Sequence, residues 1–372
     1  MSSPLPRAEA PASVAPFSPA RARAGSDTPP VVSVVIPCRN ERVTIEGLLE
    51  ALRGQSYPAE SMEIVVVDGM SDDGTREVVR AAAHERRPPL VRLLDNHGLT
   101  VPRAMNVGIT AARGAIVVRL DAHSVPAPDY VQRCVTALDT GKGDCVGGAW
   151  TVRPGAPGAV AGAIALAAGH RLGAGDARYR IGGNAGPVDT VPFGAFRRET
   201  LLRAGLFDED LTVNQDYELN TRLRTAGGVV WFDPAIRCAY FARPRLRALW
   251  RQYWRYGRGK RRMLSRHPAS LRPRQAVPPL FVASVVGLSL AAVPVARARA
   301  PLALLVGAYA AANAVAVTGM VRRGADRRAA ALAPLAFATM HVAWGAGFLT
   351  GLVTGRGVGP AAGGSSAATP RP

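Results

Sequence analysis

Asp121 and His123 are two residues of different ligand chemistry, standing two apart at the end of the run Ile116-Val117-Val118-Arg119-Leu120-Asp121-Ala122-His123. A short apolar, β-branched stretch bounded by Gly114 predicts a buried strand, and the backbone should leave the sheet at these two side chains. Period-2 alternation turns both toward the same side. A carboxylate oxygen and an imidazole nitrogen at the carboxyl end of a parallel strand make a candidate divalent-metal site, in the crevice where open α/β sheets bind ligands. Taken alone, such a pair is more often a turn with a solvated aspartate. The surrounding elements decide.

Those elements alternate. Val31 to Ile36 predicts a first strand ended by Pro37. Asn40 is expected to cap a helix with Glu41 in its positive first turn and Ile45, Leu48, Leu49 and Leu52 as its buried stripe. Glu63 to Asp68 reads as the second strand, and Ser71 to Thr75 as a turn capping a helix that runs to about His84. Asp72 is the better cap there, which leaves Asp68 free. Leu90 to Leu94 predicts a third strand, Val101 to Ala112 a helix in which Arg103 and Asn106 meet phosphate or solvent, and Ile116 to Leu120 a fourth strand. The pitch implies an α/β fold, a parallel sheet with helices on both faces. No Gly-x-Gly-x-x-Gly follows the first strand, and the Gly69 to Gly74 spacing lacks the Lys-Ser or Lys-Thr of a P-loop. A nucleotide would therefore be held in another way.

Four stretches in order carry a resemblance: Pro37 to Glu41, Val67 to Thr75, Asp121 to His123, and Asn214-Gln215-Asp216-Tyr217-Glu218. Together they resemble the motifs of family 2 glycosyltransferases of the GT-A fold, a Rossmann-like, mostly parallel sheet, over residues 31–260. The Asp-Ala-His variant and the segment Val188 to Glu199 most resemble the succinoglycan-type exopolysaccharide branch. The resemblance implies a nucleotide-diphosphate sugar donor, UDP-linked by preference, with Asp68 on the nucleobase, Pro37 and Glu41 lining the base and ribose pocket, and Asp121 near the ribose. Asp121 and His123 would hold a divalent cation on the diphosphate; an imidazole ligand, softer than the second carboxylate usual in the family, favours Mn²⁺ over Mg²⁺. Gly147, Gly148 and Gly194 are expected to let the donor sugar lie against backbone, with a plain bulge as the competing reading. Asp216 is the expected general base, at the start of a helix over 216–226 whose stripe includes Leu219 and Leu223; the resemblance implies an inverting reaction. Gln215 stands where an acidic residue is common, and the missing repulsion should leave Asp216 a weaker base.

The formal charge of +19 comes almost entirely from arginine, with lysine only at Lys142 and Lys260. Coding bias explains the lysine shortage, and the placement of the arginines points away from nucleic acid. A dense block from Arg243 to Arg274 runs straight into the first long apolar stretch, the pattern of a cytoplasmic membrane flank. Cys38, Cys134, Cys145 and Cys238 are too scattered for a zinc knuckle or a disulfide framework.

The chain thus divides into a disordered tail (1–30), a catalytic domain (31–242, with a nucleotide-binding half to 130 and an acceptor half from 131), an interfacial helix and basic linker (243–276), three transmembrane helices (277–355) and a second disordered tail (356–372). Leu246, Leu249, Trp250, Tyr253 and Trp254 form the stripe expected to lie in the membrane interface. Gln252, Arg255 and Tyr256 resemble the Gln-x-x-Arg-Trp element of processive family members, so Arg255 either contacts diphosphate or snorkels among lipids. Residues 156–168 are apolar but too short to span, which suits a helix beside the acceptor cleft. By the positive-inside rule the catalytic domain is cytoplasmic and the C-terminal tail outside. The function expected is a membrane-anchored transferase acting on a lipid-linked glycan or a polyprenyl phosphate, with a non-catalytic nucleotide-sugar-binding scaffold as the rival.

Overall fold

The computed structural model describes residues 32–354, so the tails expected at 1–30 and 356–372 lie outside the described residues. Its first half alternates as expected: β1 (Val32–Cys38), α1 (Arg42–Arg53), β2 (Met62–Asp68), α2 (Thr75–His84), β3 (Leu90–Asp95), α3 (Val101–Ala111) and β4 (Ile116–Arg119). The second half holds β5 (Ser124–Pro126), α4 (Tyr130–Asp139), β6 (Cys145–Arg153), α5 (Ala159–Ala168), α6 (Arg171–Ala174), α7 (Arg178–Ile181), β7 (Gly186–Pro187), β8 (Ala195–Arg197), α8 (Arg198–Arg203), α9 (Gln215–Thr225) and β9 (Val230–Phe241). Four long helices close the chain: α10 (Leu246–Arg266), α11 (Pro273–Ala292), α12 (Arg299–Arg322) and α13 (Arg327–Thr354).

β1 and β2 are buried along their whole length, which is why they read as continuous apolar runs. Alternation still sorts their side chains. Val32, Val34 and Ile36 join the core under α1 with Ile45, Leu48, Leu49 and Leu52, while Val35 joins the opposite core with Met105 and Ile109 of α3. The sheet runs β3-β2-β1-β4-β8-β6-β9-β5, with β7 paired to β9. Pairing is parallel from β3 through β4 and between β6 and β9; β8 enters antiparallel between β4 and β6. The sheet is therefore mostly parallel, as expected, but mixed in its second half. The chain winds outward from β1 to β3 and then returns to the other side of β1 as β4. That switch opens a crevice at the carboxyl ends of β1 and β4.

Several local expectations are corrected. β1 runs through Pro37 to Cys38, and β4 ends at Arg119, so Asp121 and His123 sit on the loop beyond it. Asn40 is not the cap of α1. It adopts a left-handed φ of 55°, and its Oδ1 accepts the Asp72 N–H, while Glu41 takes the cap position. Asp73, not Asp72, accepts the N–H of Thr75 at the start of α2.

Three helical segments, Pro273–Ala292, Ala296–Arg322 and Arg327–Thr354, are long and apolar enough to cross a membrane. α10 differs from its expectation. Leu246, Leu249 and Tyr253 share an apolar cluster with Ala333, Phe337 and Met340 of α13, so much of the stripe expected to meet lipid meets protein. Glycines cause this. A Cβ at Gly257 would lie 2.2 Å from the Trp344 carbonyl and one at Gly347 2.4 Å from that of Trp254, so their absence lets the two helices close up. α5 packs into the same cluster through Ile164, Ala165 and Ala167.

Candidate active site

The crevice holds one buried cation between two carboxylates. Arg119, the last residue of β4, has a side chain only 4% exposed. Its Nη2 donates to Asp121 Oδ1 at 2.9 Å and its Nη1 to Asp216 Oδ1. Burial works against a charged guanidinium, but Asp216 and then Asp121 more than offset it and hold Arg119 protonated.

α9 carries Asp216 to this point. Asn214 takes the cap position with a left-handed φ of 61°, a conformation asparagine tolerates, and its side-chain amide donates to the Tyr256 carbonyl at 3.2 Å. Leu219 and Leu223 anchor the helix in the core. Burial raises the Asp216 carboxyl above the usual carboxylate range; Arg119 opposes this and the charge of Asp121 adds to it. Asp121 thus supplies, from across the crevice, a repulsion of the kind that Gln215 does not. Arg119 uses Oδ1 of Asp216, and no described residue hydrogen-bonds Oδ2.

His123 does not pair with Asp121 but places Nδ1 3.0 Å from Glu41 Oε1. Burial favours the neutral ring, yet Glu41 and Asp121 together raise its pKa above the ordinary histidine value. Among the described residues, no three His, Cys, Asp or Glu side chains are grouped to hold an ion. The donor chemistry nonetheless fits a divalent cation. A carboxylate accepting from one ring nitrogen orients the other as a metal ligand, and diphosphate oxygens commonly complete such a shell. Glu41 also accepts the Thr44 hydroxyl at 2.7 Å.

Asp68 ends β2, as expected, but is not free. Its carboxylate accepts the Ser71 N–H at 2.9 Å, the Ser71 hydroxyl, and Arg76 Nη1 at 2.7 Å, and the residue is 1% exposed. Beside it, the Cys38 carbonyl, next to Pro37, accepts the Gly69 N–H at 2.8 Å. Asn106 grips the backbone of Phe207 through both N–H and carbonyl, which takes it away from phosphate.

The glycines make room for protein. A Cβ at Gly148 would stand 1.8 Å from the Ile236 carbonyl, beside a register shift between Gly148 and Ala149, so the bulge reading holds there. At Gly147 it would meet Val191 at 2.8 Å, and at Gly194 the Phe196 ring at 2.8 Å and Cys145 Sγ at 2.9 Å. Gly194 still touches the site, because its carbonyl accepts the Arg119 N–H at 3.0 Å. Gln252 is buried and donates to the hydroxyls of Tyr240 and Tyr256 at 3.2 and 3.0 Å, whereas Arg255 is exposed. Arg243 is the arginine whose charge acts on both His123 and Tyr256.

Sequence reasoning thus missed Arg119 and Arg243. A lone ionised residue inside an apolar strand was the available signal for Arg119, since such a charge is buried only with partners. Arg243 begins a dense arginine block and carries no such mark.

A glycosyl transferase family 2 model matches residues 33–203. The succinoglycan biosynthesis protein ExoA of Rhizobium meliloti is 34% identical over 318 residues, covering 85% of this chain and 93% of that one. A dolichyl N-acetyl-α-D-glucosaminyl phosphate 3-β-D-2,3-diacetamido-2,3-dideoxy-β-D-glucuronosyltransferase of Methanococcus voltae is 25% identical over 236 residues, covering 63% and 74%. Among solved structures, the mannosyltransferase PcManGT of Pyrobaculum calidifontis, in complex with GDP-Man and Mn²⁺, superposes with a TM-score of 0.53 at 22% identity, covering 89% and 90% of the two chains. That likeness bears on the fold, which is GT-A-like. With its ordered motifs and a relative matched along nearly its whole length, the chain belongs to the family 2 glycosyltransferases and resembles the exopolysaccharide enzymes among them.

Proposed function

We propose that the protein is a membrane-anchored, metal-dependent, inverting glycosyltransferase that moves a sugar from a UDP-linked donor to a lipid-linked glycan, with its catalytic domain on the cytoplasmic side. The observation that carries this is the bridge across the crevice: Arg119 joins Asp216, 97 residues away in sequence, to Asp121 on the loop after β4. Donor and acceptor groups are thereby held at one point.

Asp216 Oδ2 accepts the proton of the acceptor hydroxyl as that oxygen attacks the sugar, while Arg119 on Oδ1 fixes the plane of the carboxylate. The raised carboxyl suits a base that must be ionised and still take a proton. Attack on the face opposite the departing diphosphate inverts the anomeric centre. Asp121 and His123 would hold the cation, Mn²⁺ or Mg²⁺, which neutralises charge on the diphosphate. The Asp68–Ser71 loop and the backbone near Pro37 wall the base pocket, and Arg243 adds positive charge near His123. The three long apolar helices and the basic flank suit an acceptor whose tail stays in lipid.

The test is nucleotide release from UDP- and GDP-sugars by the full chain in native membranes, with Mn²⁺, Mg²⁺ or chelator. Release is expected with one donor and is lost on chelation. Asp216→Asn is expected to slow it by about 10²–10⁴-fold with donor binding retained, and His123→Ala to weaken its metal response. Metal-dependent donor binding without release, with lipid-linked acceptors supplied, would point to a scaffold. Transfer to a bare polyprenyl phosphate would make the enzyme a polyprenyl-phosphate sugar synthase.

A further inference from the structure

We infer that Arg180 is the phosphate-binding residue of an acceptor subsite that takes an anionic phosphate borne on a hydrocarbon tail. The inference rests on the reading of the chain as a transferase with a lipid-borne acceptor. The subsite is a cavity of about 430 Å³ between the end of β6, α5 and the α12–α13 loop, walled by Val152, Pro154, Ala165, Leu166 and Ala329, with Arg180 supplying its cation. Asp326 also lines it, but its carboxylate accepts the Ala329 N–H at 2.8 Å as the cap of α13.

Arg180 differs from the part-buried arginines that are held by ion pairs. Arg76, Arg92, Arg119, Arg222 and Arg274 each meet a carboxylate. Among the described residues Arg180 meets none. Its guanidinium lies over the rings of Trp150, Tyr179 and Tyr240, at 5.1, 5.5 and 5.7 Å from their centroids, and Nε donates to the Tyr179 hydroxyl at 3.3 Å. Stacking of this kind orients the guanidinium plane and leaves its in-plane N–H groups for an oxyanion. The Trp150 indole N–H is likewise buried with no acceptor among the described residues. A cation without its anion is an incomplete arrangement inside a protein.

Walls and location define the rest of the ligand. The aliphatic lining favours a tail over free inorganic phosphate. The loop at the rim joins two of the helices long enough to cross a membrane, so the cavity lies where lipid headgroups would be. Arg180 is joined to the catalytic crevice through the rings it lies over. Trp150 stacks on Tyr240 at 4.1 Å and lies 5.4 Å from Phe193, whose neighbour Gly194 holds the Arg119 N–H. That continuity favours an isoprenoid diphosphate carrier over a bulk glycerophospholipid.

The test uses the full chain in dodecyl maltoside, with the donor site filled by saturating UDP, titrated with farnesyl diphosphate, farnesol, inorganic diphosphate and phosphatidylglycerol. Farnesyl diphosphate should bind at least tenfold tighter than farnesol or inorganic diphosphate. Arg180→Gln should weaken it by about tenfold or more, the loss expected for a charged hydrogen bond, and Arg180→Lys by less. UDP binding by each variant reports that it is folded. Equal farnesyl diphosphate affinity in wild type and in a folded Arg180 variant would overturn the inference, and phosphatidylglycerol binding as tightly would overturn the carrier assignment. Failure of the wild type to bind either UDP or GDP would strike the transferase reading instead.

Discussion

Asp68 and Asp216 both rest on an arginine at the mouth of one sheet, yet they are built in opposite ways. The partners of Asp68 are local: Ser71 follows by three residues and Arg76 by eight, and backbone N–H, hydroxyl and guanidinium share the load. Asp216 depends on Arg119, 97 residues away, and shares it with Asp121. The Asp68 carboxylate, proposed to serve the nucleotide, is thus held redundantly and by local partners. The proposed catalytic centre hangs on one long-range contact.

Breaking that contact should have the largest effect. Arg119→Met leaves two carboxylates, 27% and 28% exposed, without their counter-charge, and should cost about 3 kcal/mol or more of unfolding free energy, measured by denaturant titration in detergent. Gly148→Ala tests the other long-range device, the close approach of β6 to β9. A methyl group placed 1.8 Å from the Ile236 carbonyl forces the strands apart and should cost about 1–3 kcal/mol, read as a lowered Tm.

Lys260 sharpens the comparison from the side of the membrane flank. Its buried ammonium lies 4.2 Å from the ring of Tyr217, the residue after Asp216, and donates to the Ser270 carbonyl and hydroxyl at 3.0 and 3.2 Å. Burial, then the charge of Arg274, pulls it down to about 7. Between that value and the unfolded lysine value of about 10.4, the unfolded chain binds the extra proton, so stability should rise with pH. The rise is up to about 1.4 kcal/mol per pH unit, and it should be missing in Lys260→Met when the two unfolding curves are compared from pH 7 to 10. Parallel curves would remove the buried ammonium from the account. The smallest effect belongs to Arg76→Met, about 1 kcal/mol by the same titration, because Ser71 still satisfies Asp68. If Arg76→Met proved as damaging as Arg119→Met, the contrast between the two carboxylates would fail.

The parts legible beforehand share a physical basis. The first four strands, the stripe Ile45, Leu48, Leu49 and Leu52, and the helix that begins beside Asp216 are periodic patterns within about a dozen residues, and each forms within a residue or two of its expected bounds. The three apolar stretches near the end are likewise helices, shifted by a few residues. Cap details at Asn40 and Asp72 were less legible, because neighbouring polar side chains compete for the same N–H groups and the loop geometry chooses among them.

The sequence by itself determined the order of the elements, the carboxylates that end them and the spans able to enter a membrane, since periodicity, turn chemistry and apolar length are local properties. Only the tertiary structure decided that Arg119 joins Asp121 to Asp216, that Gly148 makes way for Ile236 and not for a sugar, and that α10 turns much of its apolar stripe to α13. Each of those outcomes is set by how closely two distant backbones approach, and that distance follows from the packing of every residue between them.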